Sequence, residues 1–488
     1  MSPESILIVF LVYTAALFGI SIITSRKANN ETFFLGNRLS PWFVVAYGMV
    51  GASLSGVTFI SVPGWVGDTQ FTYMMIVLGY VLGYAAISTV LLPLYYKLKL
   101  TSIYSYLNKR FGFWSYKTGA FYFLLSRIVG ASFRMFLVVN VLQVFVFDSW
   151  GIPLWMTVLI FMILINLYTF KGGIKTIVWT DTLQTTFMLV AVVMTIVIVL
   201  QHLDIGLFDM IRKVSASDYS KIWVSDWQSS KFFLKQFLAG AFITIVMTGL
   251  DQDMMQKNLS CRSLKDAQKN VTTLSFVLVI VNFIFLFLGA SLFIYAAQMN
   301  ISLPELSDEL FPKIALSYLG PVAGVFFIIG LISAAYSSAD SALTALTTSF
   351  SIDFLGLDKR SDISEKRKIR IRYFVHFCIA LVLITVILVF SAINDKAVIA
   401  KLFQFAGYTY GPLLGLYAFG LFTRFNVRDK WVPIIAILAP VLTYLFEINS
   451  EKIIPGYKVG FELLIVNGLI TFIGLFLVNK KISKDSNI

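Results

Sequence analysis

Long apolar stretches that alternate with short polar intervals dominate this chain of 488 residues. Each stretch is as long as the roughly 17–25 residues that a helix needs to cross a bilayer, or longer. The stretches cover residues 5–24, 42–64, 72–96, 118–147, 153–170, 176–201, 232–252, 271–298, 311–352, 372–391, 396–423, 432–448 and 460–479. The stretch 311–352 exceeds one crossing, and Gly320-Pro321 divides it into a short outer helix and a main span. The pattern predicts an all-α integral membrane protein with about thirteen spanning helices.

Composition narrows the class of protein. Hydrophobic residues make up 58% of the chain and charged residues 13%, and the mean hydropathy is +0.81. A soluble protein of this size could not bury so much apolar surface, so part of its solvent must be lipid. The longest polar intervals, 202–230, 253–270 and 353–372, are too short to hold a catalytic domain. We therefore expect a membrane protein that is not an enzyme.

The formal net charge is +13, which in a soluble protein would suggest a nucleic-acid partner. Here most of the 39 lysine and arginine residues fall in one set of alternate loops, as expected for loops that face the cytoplasm. This distribution predicts an N-terminus outside, a cytoplasmic C-terminus and no nucleic-acid partner. The stretch 5–24 lacks a basic leader and a cleavage site, so we interpret it as a retained first span.

The second stretch contains several residues that weaken a helix. It reads AYGMVGASLSGVTFISVPG, with Gly48, Gly51 and Gly56 inside it and Pro63 predicted to end it. Such a helix is a candidate for local unwinding, which frees backbone carbonyls in the middle of the membrane. Freed carbonyls are tolerated there only where they line a cavity or bind a ligand.

A second polar feature, AAYSSADSA at 334–342, lies inside the ninth predicted span. Ser337, Asp340 and Ser341 share one helix face, Ser338 borders that face, and the carbonyl of Ala334 lies one turn earlier. The set offers only oxygen ligands and one negative charge, which suits a hard and weakly held cation. Alternatively, the serines only allow close helix packing, but a carboxylate inside a membrane is usually functional.

Together these and other motifs resemble the sodium/solute symporter family. The motifs are GASLSGVTFISVPG, GGIKTIVWTDTLQ, DQDMMQK, AAYSSADS and AGYTYGPLLGLYAFGLF. The resemblance implies one transporter domain over residues 1–488 with a LeuT-type fold, in which two inverted five-helix repeats form the 5+5 core. The repeats would cover 42–201 and 232–423, with an extra helix at 5–24 and two C-terminal helices within 432–479.

The resemblance also implies a common sodium site. Carried over to this chain, its ligands are the carbonyls of Gly51, Leu54 and Ala334 and the hydroxyls of Ser337 and Ser338. These residues join the second span to the ninth.

Sialic-acid symporters of the family use a second sodium site, whose positions match Asp181, Ser337, Asp340 and Ser341. The sialic-acid symporters have a serine at the position of Asp340, whereas the proline symporters have an aspartate there, as this chain does. A second sodium ion, a proton or structural hydrogen bonds would each satisfy this group. Asp181 could also be only an interfacial cap.

The solute is expected beside the unwound part of the second span. Ser55 and Thr58 form an L-S-x-x-T pattern that resembles the sialic-acid symporters, in which the serine and threonine hold a carboxylate. The arginine of those symporters aligns with Gly130, but Arg134 lies one turn further along and could clamp an anion. Alternatively, Arg134 forms a structural pair, and Arg127 snorkels or pairs locally. Further candidates are Thr244, Met247 and Thr248 in the seventh span and Gln404 and Tyr408 in the eleventh.

The resemblance therefore implies a sodium-coupled symporter that imports a small organic solute, such as a sialic acid or another carboxylate. A sugar or proline-like amino-acid symporter and a non-transporting membrane sensor are the alternatives. The expected partners are the solute, sodium and the lipid bilayer, with no cofactor and no obligate protein partner. The expected location is the cell membrane, as a multi-pass protein of a bacterial inner membrane.

Overall fold

The computed structural model describes residues 2–24, 30–169, 173–393 and 398–480. Within these ranges the chain is almost entirely α-helical, as predicted, and forms one bundle of packed helices. Some basic residues behind the predicted orientation, including Arg26 and Lys171, lie outside the described residues.

In the N-terminal half, the described residues form ten α-helices. They are α1 (Pro3–Thr24), α2 (Asn30–Leu35), α3 (Trp42–Thr69), α4 (Tyr73–Ala86), α5 (Leu92–Lys97), α6 (Ser105–Arg110), α7 (Phe113–Leu142), α8 (Leu154–Thr169), α9 (Ile174–His202) and α10 (Leu207–Ala216). Two π-helical turns, Ile87–Leu91 and Gln143–Phe147, extend α4 and α7.

The part of the C-terminal half that the structure describes contains ten more α-helices and a two-stranded antiparallel sheet. They are α11 (Phe233–Thr244), α12 (Gln252–Leu259), α13 (Leu264–Gln298), α14 (Leu310–Ser317), α15 (Gly320–Ser349), α16 (Glu365–Ile393), α17 (Val398–Thr409), α18 (Gly411–Phe422), β1 (Asn426–Val427), α19 (Val432–Ile453), α20 (Leu463–Leu477) and β2 (Asn479–Lys480). Two further π-helical turns, Ile245–Gly249 and Phe350–Phe354, follow α11 and α15. The division of the stretch 311–352 into α14 and α15 is as predicted.

Eight helices in the described residues are long and apolar enough to cross a membrane, or nine if the bent pair α11 and α12 counts as one span. One of the eight, Trp42–Lys97, contains 56 residues. At about 1.5 Å per residue it is too long for a single crossing. Shorter apolar helices occur at α8, α18 and α20. The chain is thus a multi-pass membrane protein, and the count of thirteen spans stays a prediction.

The unwinding predicted for the second span is present at Ser55. Its φ of 54° and ψ of 175° interrupt α3 one residue before Gly56. The prediction that Pro63 ends this helix was wrong, because α3 continues through it to Thr69. A proline inside a membrane helix is tolerated where neighbouring helices satisfy the freed backbone groups.

A second break separates α11 from α12, which are bent by 65°. The break exposes backbone carbonyls, and two tyrosine hydroxyls satisfy them. Tyr95 donates to the carbonyl of Gly249 at 2.9 Å, and Tyr104 donates to that of Leu250 at 2.9 Å. Asp251 then caps α12 by accepting from the backbone N–H of Asp253 at 2.9 Å. Side chains therefore satisfy backbone groups that this break leaves without helical partners.

The core of the bundle is built around α15, which contacts α3, α7 and α9. Nearly every residue from Gly330 to Ser349 is buried, so this helix meets protein rather than lipid on all its faces. Close packing with α9 brings the carboxylate of Asp181 beside α15. The same helix packs against α3, which contains the break at Ser55.

Candidate functional site

A cavity of about 710 Å³, part of it open to solvent, lies beside the break in α3. Residues from α3, α4, α7, α11, α13 and α17 line it. Six of the predicted solute-binding residues lie on its wall, namely Ser55, Thr58, Arg134, Thr244, Met247 and Thr248. The structure therefore brings together residues that are distant in the chain, such as Ser55 and Thr248, which are 193 positions apart.

Arg134 is the main charged group on the cavity wall without a counter-ion. Arg134 is only 7% exposed, and its Nε atom has no hydrogen-bond partner among the described residues. Among the described residues, no carboxylate forms an ion pair with it. A buried guanidinium without a partner is costly, so the arrangement favours an anionic group in the cavity.

Arg127 also reaches the cavity wall but is already paired. Its guanidinium forms an ion pair with Asp253 and lies 3.9 Å from Asp251. Tyr410 donates a hydrogen bond to the same Asp251 at 2.7 Å. The local pairing anticipated for Arg127 is therefore present, and it joins α7, α12 and the end of α17.

Four polar residues of the cavity wall were not identified from the sequence. Tyr73, Tyr80 and Tyr84 lie on α4, and the hydroxyls of Tyr73 and Tyr80 are 3.0 Å apart. Their spacing of seven and four residues puts them on one helix face, and that spacing was the available signal. Asn282 of α13 donates to the carbonyl of Leu278, and its own Oδ1 has no partner among the described residues.

Two predicted solute residues lie elsewhere. Gln404 donates to Glu447 of α19 at 3.0 Å, and the ring of Tyr408 lies 6.4 Å from that of Tyr444 on the same helix. Leu402 and Phe403 face the cavity instead. The prediction placed Gln404 and Tyr408 on the wrong face of α17, because the sequence did not show that α19 packs there.

The predicted ligands of the common sodium site lie on α3 and α15, two helices that pack against each other. Ser338 donates to the carbonyl of Ala334 at 3.1 Å, so these two ligands are adjacent. Within the described ranges, no side chain donates a hydrogen bond to the carbonyl of Gly51 or Leu54. These carbonyls differ in this way from those at the break before α12, which tyrosines satisfy. Oxygen ligands of this kind suit a hard cation.

The second predicted group lies where α9, α12 and α15 meet. Asp181 accepts from Ser337 at 2.7 Å through Oδ1 and from the ammonium of Lys257 at 2.7 Å through Oδ2. Asp340 accepts from Tyr168 at 2.8 Å and from the backbone N–H of Ser341 at 2.6 Å. Lys257 was not identified from the sequence as part of this group.

The model of the "Sodium:solute symporter family" matches residues 33–428 of the chain. The chain is 24% identical to the sodium/sialic acid symporter SiaT of Proteus mirabilis over 97% of this chain and 96% of that protein. It is also 24% identical to the sodium/sialic acid symporter NanT of Aliivibrio fischeri, over 89% of this chain and 86% of that protein.

Solved structures share the fold. A substrate-bound, outward-open Na⁺-coupled sialic acid symporter matches with a TM-score of 0.82 and 21% identity, over 98% of this chain and 99% of that one. The nucleobase-cation-symport-1 family transporter Mhp1, in a closed conformation, matches with a TM-score of 0.55 and 15% identity, over 93% of this chain and 95% of that one. Both similarities concern the fold alone.

Proposed function

The chain belongs to the sodium:solute symporter family, and from this premise we propose that it imports a small organic anion together with sodium. The observation that carries the proposal is Arg134, a buried and unpaired cation on the wall of a cavity beside a broken helix. The two similar symporters named above transport sialic acids with sodium, which supports the same class of solute.

The other groups on the wall suit a carboxylate that also carries hydroxyl and amide groups. The guanidinium of Arg134 can bind the carboxylate through two hydrogen bonds. The hydroxyls of Ser55 and Thr58 and the free Oδ1 of Asn282 offer further donors and acceptors. A neutral sugar would leave the charge of Arg134 uncompensated, so we favour a solute with a carboxylate, such as a sialic acid.

Sodium is proposed to bind at the common site, where it would coordinate the carbonyls of Gly51, Leu54 and Ala334 and the hydroxyls of Ser337 and Ser338. The break of α3 at Ser55 supports this assignment. A bound ion would connect α3 to α15 and order the cavity wall at Ser55. Each positive charge that moves inward gains about 2.3 kcal/mol per 100 mV of membrane potential.

The proposed architecture is two inverted repeats of five spans, over 42–201 and 232–423, preceded by α1 and followed by α19 and α20. The first helix of each repeat would be broken, at Ser55 in α3 and between α11 and α12. Helix contacts support this symmetry, since α3 packs on α13 as α11 packs on α4. We further propose thirteen spans in a bacterial inner membrane, within a single transporter domain, with the N-terminus outside and no obligate protein partner.

Alternating access would depend on the group formed by Arg127, Asp251, Asp253 and Tyr410. In the proposed orientation this group lies between the cavity and the cytoplasm and joins three helices. Opening toward the cytoplasm would require these contacts to separate. Solute and sodium would be released by that step.

The test is uptake of radiolabelled N-acetylneuraminate by proteoliposomes that contain the purified protein. We expect uptake with an inward sodium gradient and none when choline replaces sodium.

Ser338→Ala should raise the sodium concentration for half-maximal uptake several-fold, because one ligand of the ion is lost. Ser351→Ala is the matched control, since it removes a buried hydroxyl without a hydrogen-bond partner from the end of the same helical segment.

Arg134 provides the test of solute charge. Arg134→Gln should raise the half-saturating concentration of N-acetylneuraminate at least tenfold, because a charge-assisted hydrogen bond contributes about 1.5–3 kcal/mol. Arg134→Lys should restore part of the affinity. Unchanged uptake by Arg134→Gln would contradict the proposal that the solute is an anion. Uptake that does not depend on sodium would contradict the proposal that the protein is a sodium symporter.

A further inference from the structure

Lys257 occupies a position that the proposed function does not use. It lies on α12, its side chain is only 1% exposed, and its ammonium is 2.7 Å from Oδ2 of Asp181. Asp181 is one of the four residues of the second predicted cation group. We propose that the Lys257 ammonium is the permanent cation of this group, so that transport is coupled to one sodium ion rather than two.

The hydrogen bonds of the group support a tethered cation. Both carboxylate oxygens of Asp181 are engaged, one by Lys257 and the other by the hydroxyl of Ser337. A sodium ion at Asp181 would have to share the carboxylate with the ammonium, and the two positive charges would repel each other at short range. Because Ser337 donates its proton to Asp181, the lone pairs of its oxygen remain available to an ion at the common site. The hydroxyl of Ser337 can thus donate to Asp181 and coordinate an ion at the common site at the same time.

Charge balance points the same way. The ionised Asp181 and the protonated Lys257 form a neutral buried pair. Asp181 therefore needs no sodium ion to balance its charge. A second sodium ion beside this pair would leave an excess positive charge in a buried region, which is costly.

The position of Lys257 is fixed by its helix. All eight residues of α12 are buried, and the helix contacts α15, α9 and α3. Gln256, the preceding residue, donates to the backbone carbonyl of Phe34 at 2.5 Å and to Thr348 at 3.1 Å. Moving the ammonium away from Asp181 would therefore require α12 to move. We infer that the lysine stays in place while sodium binds and leaves.

The inference rests on the proposed sodium site but needs no solute to test it. Purified protein is bound to beads in a scintillation proximity assay, and ²²Na⁺ is titrated to saturation with choline as the balancing cation. We expect one ²²Na⁺ per protein, which Ser338→Ala should bind with several-fold lower affinity. Two ions per protein would overturn the tethered cation and leave the proposed symport intact. No bound ion would contradict the proposed sodium site itself.

Variants of the lysine sharpen the test. Lys257→Gln should bind two ²²Na⁺ per protein, because Asp181 is then free to accept an ion, whereas Lys257→Arg should bind one. Lys235→Gln is the matched control, since Lys235 also lies near a carboxylate, 3.8 Å from Glu462, but away from this group. A count of one in folded Lys257→Gln would overturn the inference.

A double variant covers the case in which Lys257→Gln does not fold. Asp181→Asn with Lys257→Gln removes both charges of the pair and avoids an unpaired buried carboxylate. We expect this protein to retain one ²²Na⁺ at the common site. A count of zero would mean that the ion in the unmodified protein depends on Asp181, and the proposal would then be wrong.

Discussion

Gly51 allows α3 to approach α9 closely, because it has no side chain. Its N–H donates to Oγ1 of Thr185 at 3.1 Å. A Cβ atom at Gly51 would lie 2.3 Å from the same Oγ1 and 3.3 Å from the backbone Cα of Thr185. Rotation of the hydroxyl could not relieve the contact with the backbone. The two helices would therefore have to separate at the proposed sodium site.

We predict that Gly51→Ala destabilises the folded protein by about 1–3 kcal/mol and raises the sodium concentration for half-maximal uptake. Thermal unfolding and sodium-dependent uptake measure the two effects. Gly19→Ala is the control, because a Cβ atom at Gly19 meets nothing within 4 Å. A stable Gly51→Ala variant with normal sodium dependence would show that close approach at Gly51 is unnecessary.

Single residues differed in how far the sequence could place them. Arg134 could be identified because a charged residue in an apolar helix is conspicuous wherever the helix packs. The sequence could not show whether Gln404 and Tyr408 face the cavity, because the face of α17 that lines the cavity depends on how α17 packs against α19. The Asp181–Lys257 pair was missed for a similar reason. Its members are 76 residues apart, and only the packing of three helices brings them together.

At the scale of elements, the break between α11 and α12 depends on tyrosine hydroxyls. Tyr104→Phe would leave the carbonyl of Leu250 without its hydrogen bond while keeping the ring, which lies 5.4 Å from that of Phe123. We predict a loss of about 1–3 kcal/mol in stability, the cost of an unsatisfied buried polar group. Amide hydrogen exchange in α12 should become faster.

Thermal unfolding and hydrogen–deuterium exchange mass spectrometry test this prediction. Tyr47→Phe is the matched control, because the hydroxyl of Tyr47 bonds Thr186 in an exposed position away from this break. If Tyr104→Phe left both the unfolding temperature and exchange in α12 unchanged, the tyrosine would not hold the break.

A second element-scale prediction concerns Asp308, which lies in a 3-10 turn between α13 and α14, outside the membrane spans. Its Oδ2 accepts from the backbone N–H of Val398, at the start of α17, at 2.9 Å. Burial raises the pKa of Asp308 from 3.8 to about 6, although this hydrogen bond opposes the shift. Between about pH 4 and pH 6 the folded protein therefore keeps a proton that the unfolded chain has released.

Stability should accordingly fall as pH rises through this window, by up to about 3 kcal/mol from this group, and should then level off above pH 6. Asp308→Asn should remove that contribution and keep an acceptor for Val398. The measurement is the difference in unfolding temperature between the two proteins from pH 4 to pH 7. A difference that does not change with pH would exclude Asp308 as the titrating group.

The elements themselves were largely predictable. The apolar stretches predicted most of the long helices, and the glycines of the second stretch predicted the break at Ser55. The four π-helical turns and the course of α3 through Pro63 were not predicted. Both depend on which neighbouring groups satisfy the backbone, and such groups come from distant parts of the chain.

At the scale of the whole molecule, the two breaks belong to one arrangement. Among the described residues no side chain donates to the carbonyls of Gly51 and Leu54 near the break in α3, whereas tyrosines and an aspartate satisfy the break before α12. In the proposed cycle the first binds the ion and the second controls access to the cytoplasm. This division of roles requires α3 and α11 to run in opposite directions through the membrane, and so it depends on the orientation of the chain.

The orientation can be tested with single cysteines in loops on opposite sides. Ser215, in α10, is exposed and should lie outside, whereas Ser361, between α15 and α16, is exposed and should face the cytoplasm. A background without the two native cysteines, Cys261 and Cys378, avoids competing thiols. A membrane-impermeant maleimide should label Ser215→Cys only in right-side-out vesicles and Ser361→Cys only in inverted vesicles.

This result would follow from the excess of basic residues in the loops on the side of Ser361, which the membrane potential and anionic lipids retain in the cytoplasm. Labelling both variants in detergent is the control for thiol reactivity. The reverse pattern would place the Arg127–Asp253 pair between the cavity and the outside. The group assigned to the cytoplasmic gate would then have to open before the solute could bind, and the proposed direction of transport would be wrong.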